Sequence, residues 1–311
     1  MFKVDEFDWD WTKRKVIVTM PYYGKRLRQA HYALKNIKTS LDDSEWGVLV
    51  GDDGCDHDIS KLENIKNVKV INVRNPKAPE RNGCLCRNTL IKRCQSEWTV
   101  SVDPEIHWTG DFFKTICDHP KHAIRTGNVR NTSRETSEAI LSNIINIDDV
   151  SYKVHRNFTP SVEPVDKDSL ITIDPSNPYL MGTWGVHYGL ALETKSWHAL
   201  RGYNENITDY GPDDGDMIER VVKMIDNTFI RSHAIKRKLI VETPPCKDPQ
   251  FLSDVEETKG MITNFHIASN IFATHLYHER LTGPVNWYGE ELSKPGFIRN
   301  RAIEWGMLYD K

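Results

Sequence analysis

Short apolar runs rich in β-branched side chains alternate with helical segments over about the first hundred residues, and this alternation constrains the fold most. The runs predict four strands, at residues 16–20, 46–50, 68–73 and 98–102. Apolar residues at helical spacing predict helices at 25–38 and 84–94. Strands that alternate with helices are joined by right-handed crossovers. The sequence therefore predicts an α/β fold whose mostly parallel central sheet is flanked by helices.

Composition excludes several classes of protein. Of the 311 residues, 39% are hydrophobic and 27% are charged, which is typical of a folded chain and not of a disordered one. The net charge of −3 gives no global positive field for nucleic acid or an anionic membrane. No apolar run approaches the ~20 residues that span a bilayer, and the acidic, aromatic N-terminus is unlike a secretory signal. Because the six cysteines form no C-x-x-C pair, we expect free thiols in a reducing cytoplasm.

Acidic side chains follow two of the predicted strands. Asp52 and Asp53 lie in a Gly-Asp-Asp-Gly turn after the second strand, and Asp103 and Glu105 follow the fourth. Ligands of parallel sheets bind beyond the carboxyl ends of the strands, so these groups are expected at one edge. Two carboxylates at this spacing can hold a divalent ion that grips a diphosphate. The structural alternative is that both acidic pairs only stabilise turns.

The second half of the chain is less regular. Residues 127–180 predict loops and short helices, and 182–193 predict a glycine-rich strand. Thr194 can cap a short helix that reaches Leu200 and stops at Gly202. A third acidic cluster, with Asp213 and Asp214, opens a further helix, although acidic residues in a first turn also stabilise the helix dipole. Together the three acidic clusters predict a metal-assisted transferase that uses a nucleotide-linked donor.

The order of these motifs resembles family-2 glycosyltransferases with the GT-A fold. The residues that carry the resemblance are Pro21-Tyr22-Tyr23, Gly51-Asp52-Asp53-Gly54, Arg81-Asn82, Arg87-Asn88, Asp103-Pro104-Glu105, the acceptor-side segment 197–205 and the segment 210–216. The resemblance covers about residues 14–225. It implies a metal-dependent enzyme that moves a sugar from a nucleoside-diphosphate donor to an acceptor hydroxyl, with inversion.

The resemblance also implies a donor site. Asp53, or alternatively Asp52, would accept a hydrogen bond from the donor base, and Arg81 or Arg87 would lie near the diphosphate. The implied donor-binding residues are Pro21, Tyr23, Asp52, Asp53, Arg81 and Arg87. A UDP-sugar is the expected donor.

A metal site follows from the same resemblance. Asp103 and Glu105 fall where the family has its Asp-x-Asp motif, although here Glu is the second member and Pro104 lies between them. His275 and His278 resemble the histidine-containing segment that completes the metal shell, and their spacing would place both on one face of a helix. The expected metal is Mn²⁺ or Mg²⁺, and an imidazole ligand favours Mn²⁺.

On the acceptor side, Asp214 matches the catalytic base of the family, and Asp213 stands where Glu is usual. Trp184 and His187 are expected to line the acceptor pocket together with Asp213. The expected acceptor is a glycan or small molecule. A hydroxylated DNA base is the minority alternative, suggested by the basic residues at 231 and 236–238.

The expected organisation is an N-terminal extension at 1–13, a GT-A domain at 14–230 and a C-terminal extension at 231–311 that covers the site. Within the GT-A domain, 14–106 would form the nucleotide-sugar half and 107–230 the acceptor half. Two alternatives stay open: a nucleotidyltransferase of similar α/β plan, and a non-catalytic carbohydrate-binding protein. Against the first, the loop after the first strand is poor in glycine.

Overall fold

The computed structural model describes residues 1–74, 82–149, 171–172, 188–205, 212–225 and 257–278. Within these ranges ten strands form one sheet. The strands are β1 (Phe2–Lys3), β2 (Val16–Tyr22), β3 (Trp46–Asp52), β4 (Val68–Asn72), β5 (Trp98–Ser101), β6 (Ile106–Thr109), β7 (His122–Asn131), β8 (Ile171–Thr172), β9 (Leu190–Glu193) and β10 (Asn264–His275). The helices are α1 (Leu27–Lys35), α2 (Gly83–Ile91), α3 (Phe112–Cys117), α4 (Arg134–Leu141), α5 (Thr194–Leu200) and α6 (Pro212–Met224).

The sheet has a parallel half and a mixed half. Its order is β1-β4-β3-β2-β5-β9-β7-β10-β6, and β8 pairs with β10. The first five strands of that order are parallel to one another. Strand β9 is antiparallel to both β5 and β7, whereas β7 and β10 are parallel to each other. The predicted α/β fold is therefore confirmed, and β2, β3, β5, β7 and β10 all point towards the same edge.

The parallel strands form because their residues are buried on both faces. Every residue from Val16 to Met20 is buried, and the same is true of all of β3. A strand covered on both faces reads as a continuous apolar run, which is why the sequence predicts these elements well. Strand β2 extends past the predicted stop at Pro21, because β5 pairs with it only as far as Thr19 while β3 continues to Tyr22. Proline is tolerated where one side of a strand lacks a partner.

Helices α1, α2, α5 and α6 lie close to their predicted positions, whereas α3 was not predicted. Helix α2 begins after Asn82, whose side chain accepts a hydrogen bond from the backbone N–H of Leu85. Helix α5 ends at Arg201, which adopts a left-handed conformation at φ 55°. The predicted cap is off by one residue, because Glu193 precedes the helix and Thr194 is its first residue.

One finding corrects the sequence interpretation of the second half, and another concerns the terminal segments. The region predicted as loops and short helices from 127 includes the end of β7, a strand that starts at His122. Its polar residues gave no apolar run, yet it lies between β9 and β10, whose backbones supply the pairing. Strands β1 and β10 come from segments predicted as terminal extensions, and both pair into the central sheet. The domain boundaries themselves remain a prediction.

The described cysteines, Cys55, Cys84, Cys86, Cys94 and Cys117, are all free thiols, as predicted. Among the described residues, no helix combines the length and the apolar character that a membrane span requires.

Candidate metal and donor site

The candidate site lies where β2, β3 and β5 end side by side. The backbone N–H of Asp53 donates to the carbonyl of Tyr22 at 3.0 Å, and that of Val102 donates to Thr19 at 3.1 Å. These bonds carry the parallel pairing one residue beyond β3 and β5. The structure thereby places Asp52, Asp53 and the turn after Val102 at one edge of the sheet, together with Pro21 and Tyr23.

A turn connects β5 to β6 and buries Glu105. The N–H of Ile106 donates to the carbonyl of Asp103 at 3.2 Å, which closes the turn. The side chain of Glu105 is 3% exposed and that of Asp103 is 22% exposed. Ile106 pairs with His275 at the end of β10, and the N–H of Leu276 donates to the carbonyl of Glu105 at 3.0 Å. This register fixes the end of β10 against Glu105.

One carboxylate and two imidazoles meet in this corner. Glu105 Oε1 lies 3.1 Å from His278 Nε2 and 3.5 Å from His275 Nε2. One ligand atom from each residue falls within 4.8 Å of the others, an arrangement that suits a cation and that no other group among the described residues shows. Carboxylate and imidazole ligands together fit Mn²⁺ and similar divalent ions.

The predicted helical placement of the two histidines is wrong. His275 is the last residue of β10, and His278 follows it outside any helix. The chain bends after the strand, so that the two rings lie with centroids 5.2 Å apart and both reach Glu105. The i, i+3 spacing thus correctly indicates that the two histidines lie close together, but a bend after the strand and not a helix brings them there.

Arg26 holds the second oxygen of Glu105. Its Nη1 donates to Glu105 Oε2 at 2.8 Å, and its Nε and Nη2 donate to the carbonyl of Tyr23 at 3.3 Å and 3.1 Å. Burial opposes ionisation of Glu105, but the Arg26 guanidinium and the two histidines hold the pKa of that carboxyl well below its usual value. Sequence reasoning missed Arg26. The available signal was a basic residue in the loop after the first strand.

Asp103 lies outside the group formed by Glu105, His275 and His278, because it pairs with Arg87. Arg87 donates through Nη2 to Asp103 and through Nη1 to Ser101 Oγ at 2.9 Å. Burial works against the charge of Arg87, yet Asp103, Tyr203 and Asp213 raise its pKa above the usual value. Arg87 therefore joins the turn after β5 to the segments that carry Tyr203 and Asp213.

The two aspartates of the Gly-Asp-Asp-Gly turn have different surroundings. Asp52 Oδ1 accepts from the backbone N–H groups of Gly54 and Cys55 at 3.1 Å and 2.9 Å, which is a turn-stabilising arrangement. Asp53 lies 3.7 Å from Arg74 Nη1, and burial, opposed by Arg74, raises its pKa to about 6. The turn thus uses the Asp52 carboxylate, whereas Asp53 is the better candidate for contact with a donor base.

Helix α2 also anchors the predicted acceptor-side segment. Asn88 donates through Nδ2 to the carbonyl of Tyr203 at 2.9 Å and to Glu205 Oε1 at 2.7 Å, and its Oδ1 accepts from the N–H of Tyr203 at 2.7 Å. A side chain at Gly202, where φ is 61°, would place its Cβ only 2.0 Å from Asn88 Oδ1. Glycine is therefore required for this close approach.

Helix α6 begins near Arg87. Asp213 Oδ2 lies 3.8 Å from Cys84 Sγ on α2, and Asp213 contributes to the raised pKa of Arg87. A buried ion pair between Asp216 and Arg220 at 2.8 Å, with Arg220 donating to the carbonyl of Gly202, fixes the helix. Asp214 is in α6 next to Asp213, but its side chain lies outside the described part of the structure. The predicted residues Arg81, Trp184 and His187 and the basic residues at 231 and 236–238 also lie outside it.

No protein-family model matches the chain, and no curated protein matches it. Among solved structures, the chain is similar to S. aureus TarS, with 12% identity and a TM-score of 0.42 over 78% of this chain and 48% of that one. The chain is also similar to S. aureus TarS 1-349 in complex with UDP-GlcNAc, with 13% identity and a TM-score of 0.42 over 85% of this chain and 60% of that one. A third similar structure is the mannosyltransferase PcManGT from Pyrobaculum calidifontis in complex with GDP-Man and Mn²⁺. Its identity is 14% and its TM-score is 0.36, over 70% of this chain and 56% of that one. The matched region thus spans between about half and three fifths of these three chains.

Proposed function

We propose that this chain is a metal-dependent glycosyltransferase that transfers a sugar from a nucleoside-diphosphate donor to an acceptor hydroxyl. One observation carries the proposal: Glu105, His275 and His278 come together from distant parts of the sequence. They do so at the sheet edge where Asp53 and Asp103 also lie, which is where α/β sheets bind ligands. The sequence resemblance to family-2 glycosyltransferases predicts these three residues, together with Asp103, for the metal site.

Glu105, His275 and His278 would hold the divalent cation, with Asp103 beside them. The ligand set fits, because it joins a carboxylate oxygen and two imidazole nitrogens within 4.8 Å of one another. Mn²⁺ accepts both ligand types, and so we propose it over Mg²⁺. When bound, such an ion offsets the negative charge that develops on a diphosphate leaving group.

The donor would lie along the ends of β2 and β3. We propose that Asp53 accepts a hydrogen bond from the base, with Pro21 and Tyr23 beside it, and that Arg87 and Arg81 act on the diphosphate. With a pKa of about 6, Asp53 is mostly ionised at neutral pH and can accept such a bond. A UDP-sugar is the proposed donor.

The acceptor would bind on the side of α6. Asp214 is the proposed general base that takes the proton of the attacking hydroxyl, and Asp213, Trp184 and His187 are the proposed acceptor contacts. One base opposite the leaving group gives a single displacement with inversion. The proposed acceptor is a glycan or small molecule, and a hydroxylated DNA base is the minority candidate.

The test is a thermal-shift and calorimetry screen with UDP-, GDP- and dTDP-sugars, each with and without Mn²⁺. A ligand that binds the native state raises the melting temperature, and we expect the rise with at least one donor to require Mn²⁺. Mass spectrometry then detects sugar transfer to glycans and to hydroxymethylated DNA. Nucleoside triphosphates are included, because stabilisation by triphosphates alone would indicate a nucleotidyltransferase. No response to any donor would refute the proposal.

A further inference from the structure

Both acidic members of the Asp-Pro-Glu turn have a guanidinium partner. Arg26 pairs with Glu105 at 2.8 Å, and Arg87 pairs with Asp103. The arginine side chains are 19% and 5% exposed, so water screens these contacts only weakly. The four charges cancel, and the corner has no net negative charge from them with which to attract a lone cation.

The Arg26 side chain is held in position. Two of its N–H groups donate to the carbonyl of Tyr23, so only Nη1 reaches Glu105. Glu105 consequently divides its oxygens: Oε2 accepts from Arg26, and Oε1 faces His275 and His278. A divalent cation bound at Oε1 would share this carboxylate with the Arg26 guanidinium, which its hydrogen bonds to Tyr23 hold in place.

A nucleoside diphosphate changes this balance. Its phosphate oxygens bring several negative charges, and guanidinium groups bind phosphate oxygens well. A cation that enters with the diphosphate is therefore compensated, and Arg26 and Arg87 gain acceptors in place of a repelling neighbour. The same cation alone is opposed by both arginines.

We propose that the Glu105–His275–His278 corner takes its divalent cation together with a nucleoside diphosphate and binds the free ion poorly, with Arg26 as the residue that imposes this coupling. The inference rests on the proposed function and adds a role for Arg26, which acts through Glu105. Coupling between two ligands is reciprocal, so the nucleotide must also bind more tightly when the cation is present.

The chain offers a matched control for Arg26. Arg28 lies two residues further, and its Nη1 forms an ion pair with Glu138 at 2.8 Å, the same distance as in the Arg26 pair. Both side chains of the Arg28 pair are more than half exposed. Arg28→Gln therefore removes an arginine–glutamate ion pair of the same length that does not involve Glu105.

The experiment measures Mn²⁺ affinity by electron paramagnetic resonance for the wild type, Arg26→Gln, Arg26→Lys and Arg28→Gln, without nucleotide and with saturating UDP or GDP. In the wild type we expect Mn²⁺ to bind at least ~10-fold more tightly with nucleotide. Arg26→Gln should bind free Mn²⁺ about 10-fold more tightly than the wild type, because its buried carboxylate lacks a counter-charge. Arg26→Lys should restore most of the coupling, and Arg28→Gln should behave as the wild type.

Two results would overturn the inference while leaving the proposed function intact: wild-type protein that binds free Mn²⁺ as tightly as with nucleotide, or Arg26→Gln with unchanged affinity for free Mn²⁺. If Mn²⁺ with UDP or GDP binds to none of the proteins, the proposed function fails and the inference fails with it. The wild-type comparison tests the coupling without any variant, and Arg26→Lys tests the role of Arg26 if Arg26→Gln does not fold. A partial loss of the coupling in Arg26→Lys while Arg28→Gln keeps it would support that role, and coupling unchanged in strength in a second neutral variant, Arg26→Met, would contradict it.

Discussion

A group of histidines lies near each end of strand β10, and the two groups differ in their surroundings. At its carboxyl end, His275 and the following His278 contact Glu105. Near its amino end, the ring of His266 stacks on His119 with centroids 4.6 Å apart, and His122 lies 6.1 Å from it. His122 Nδ1 and His266 Nε2 are buried, and neither has a hydrogen-bond partner among the described residues.

The two groups differ because a buried carboxylate, that of Glu105, contacts only the histidines at the carboxyl end. The influences on His266 are burial first and then the rings of His119 and His122, and together they lower its pKa to about 4. His266 therefore packs as a neutral aromatic ring at neutral pH, and burial also lowers the pKa of His122. At the other end, Glu105 supplies a negative charge between imidazoles. Histidines in proximity do not by themselves indicate a cation site; the anion beside them does.

The largest expected effect separates the two groups directly. His278→Ala removes a proposed metal ligand and should lower turnover on the order of 1000-fold, because the cation supplies several kcal/mol of charge stabilisation. His122→Ala at the other end should leave turnover within about two-fold. Steady-state kinetics with a Mn²⁺ titration measure both variants. Equal losses would show that the carboxylate does not distinguish the groups.

A second substitution tests the proposed base, which belongs to α6 and to neither histidine group. Asp214→Asn removes the proposed base and should lower turnover by at least ~100-fold while donor affinity stays the same. Calorimetry measures the affinity, and single-turnover assays measure the chemical step. Near-normal turnover would place the base elsewhere.

Acid should affect the amino-end group. The folded-state pKa of His266, about 4, is below the usual value of 6.5, so the unfolded chain binds the proton more readily. Stability is therefore complete above about pH 6.5 and is lost as the pH falls towards 4, by about 2 kcal/mol from this residue.

Urea unfolding at pH 7, 5 and 4 measures this effect. His266→Phe keeps the ring and removes the proton site, so its unfolding free energy should fall less than that of the wild type. The exposed His31 provides the control substitution, His31→Gln. An equal loss in the wild type and His266→Phe would contradict the prediction.

The smallest effect concerns the two adjacent aspartates. Asp53→Asn should weaken donor binding about 10-fold, since one hydrogen bond to a charged acceptor is lost. Asp52→Asn should instead lower the unfolding free energy by about 1 kcal/mol, because it weakens the turn to Gly54 and Cys55. In the wild type, donor affinity should fall as the pH drops below about 6, where Asp53 becomes protonated. Calorimetry against pH and urea unfolding distinguish the two roles.

The sequence allowed much of the sheet to be predicted. Buried parallel strands such as β2 and β3 appear as continuous apolar runs, and the ends of such runs mark the ligand-binding edge. The residue types at that edge, Asp103 and Glu105 above all, predicted a metal and diphosphate site, and the structure brings Glu105 together with His275 and His278.

What the sequence could not show depends on contacts between distant segments. The pairing of Arg26 with Glu105 and of Arg87 with Asp103 depends on where the loop after β2, helix α2 and the turn after β5 meet, which no local pattern encodes. The polar strand β7 forms because its neighbours pair with it, and so its composition gave no indication of a strand. The bend after His275 likewise replaced a helix that spacing alone had suggested.

The place of β10 between β7 and β6 has a consequence for synthesis of the protein on the ribosome. Glu105 leaves the exit tunnel long before His275 and His278, yet β6 and β7 both pair with the strand that delivers those histidines. Nascent chains lacking β10 therefore expose two backbone edges and hold a carboxylate paired only with arginine. The proposed cation site of Glu105, His275 and His278 can therefore form only after translation has passed residue 278.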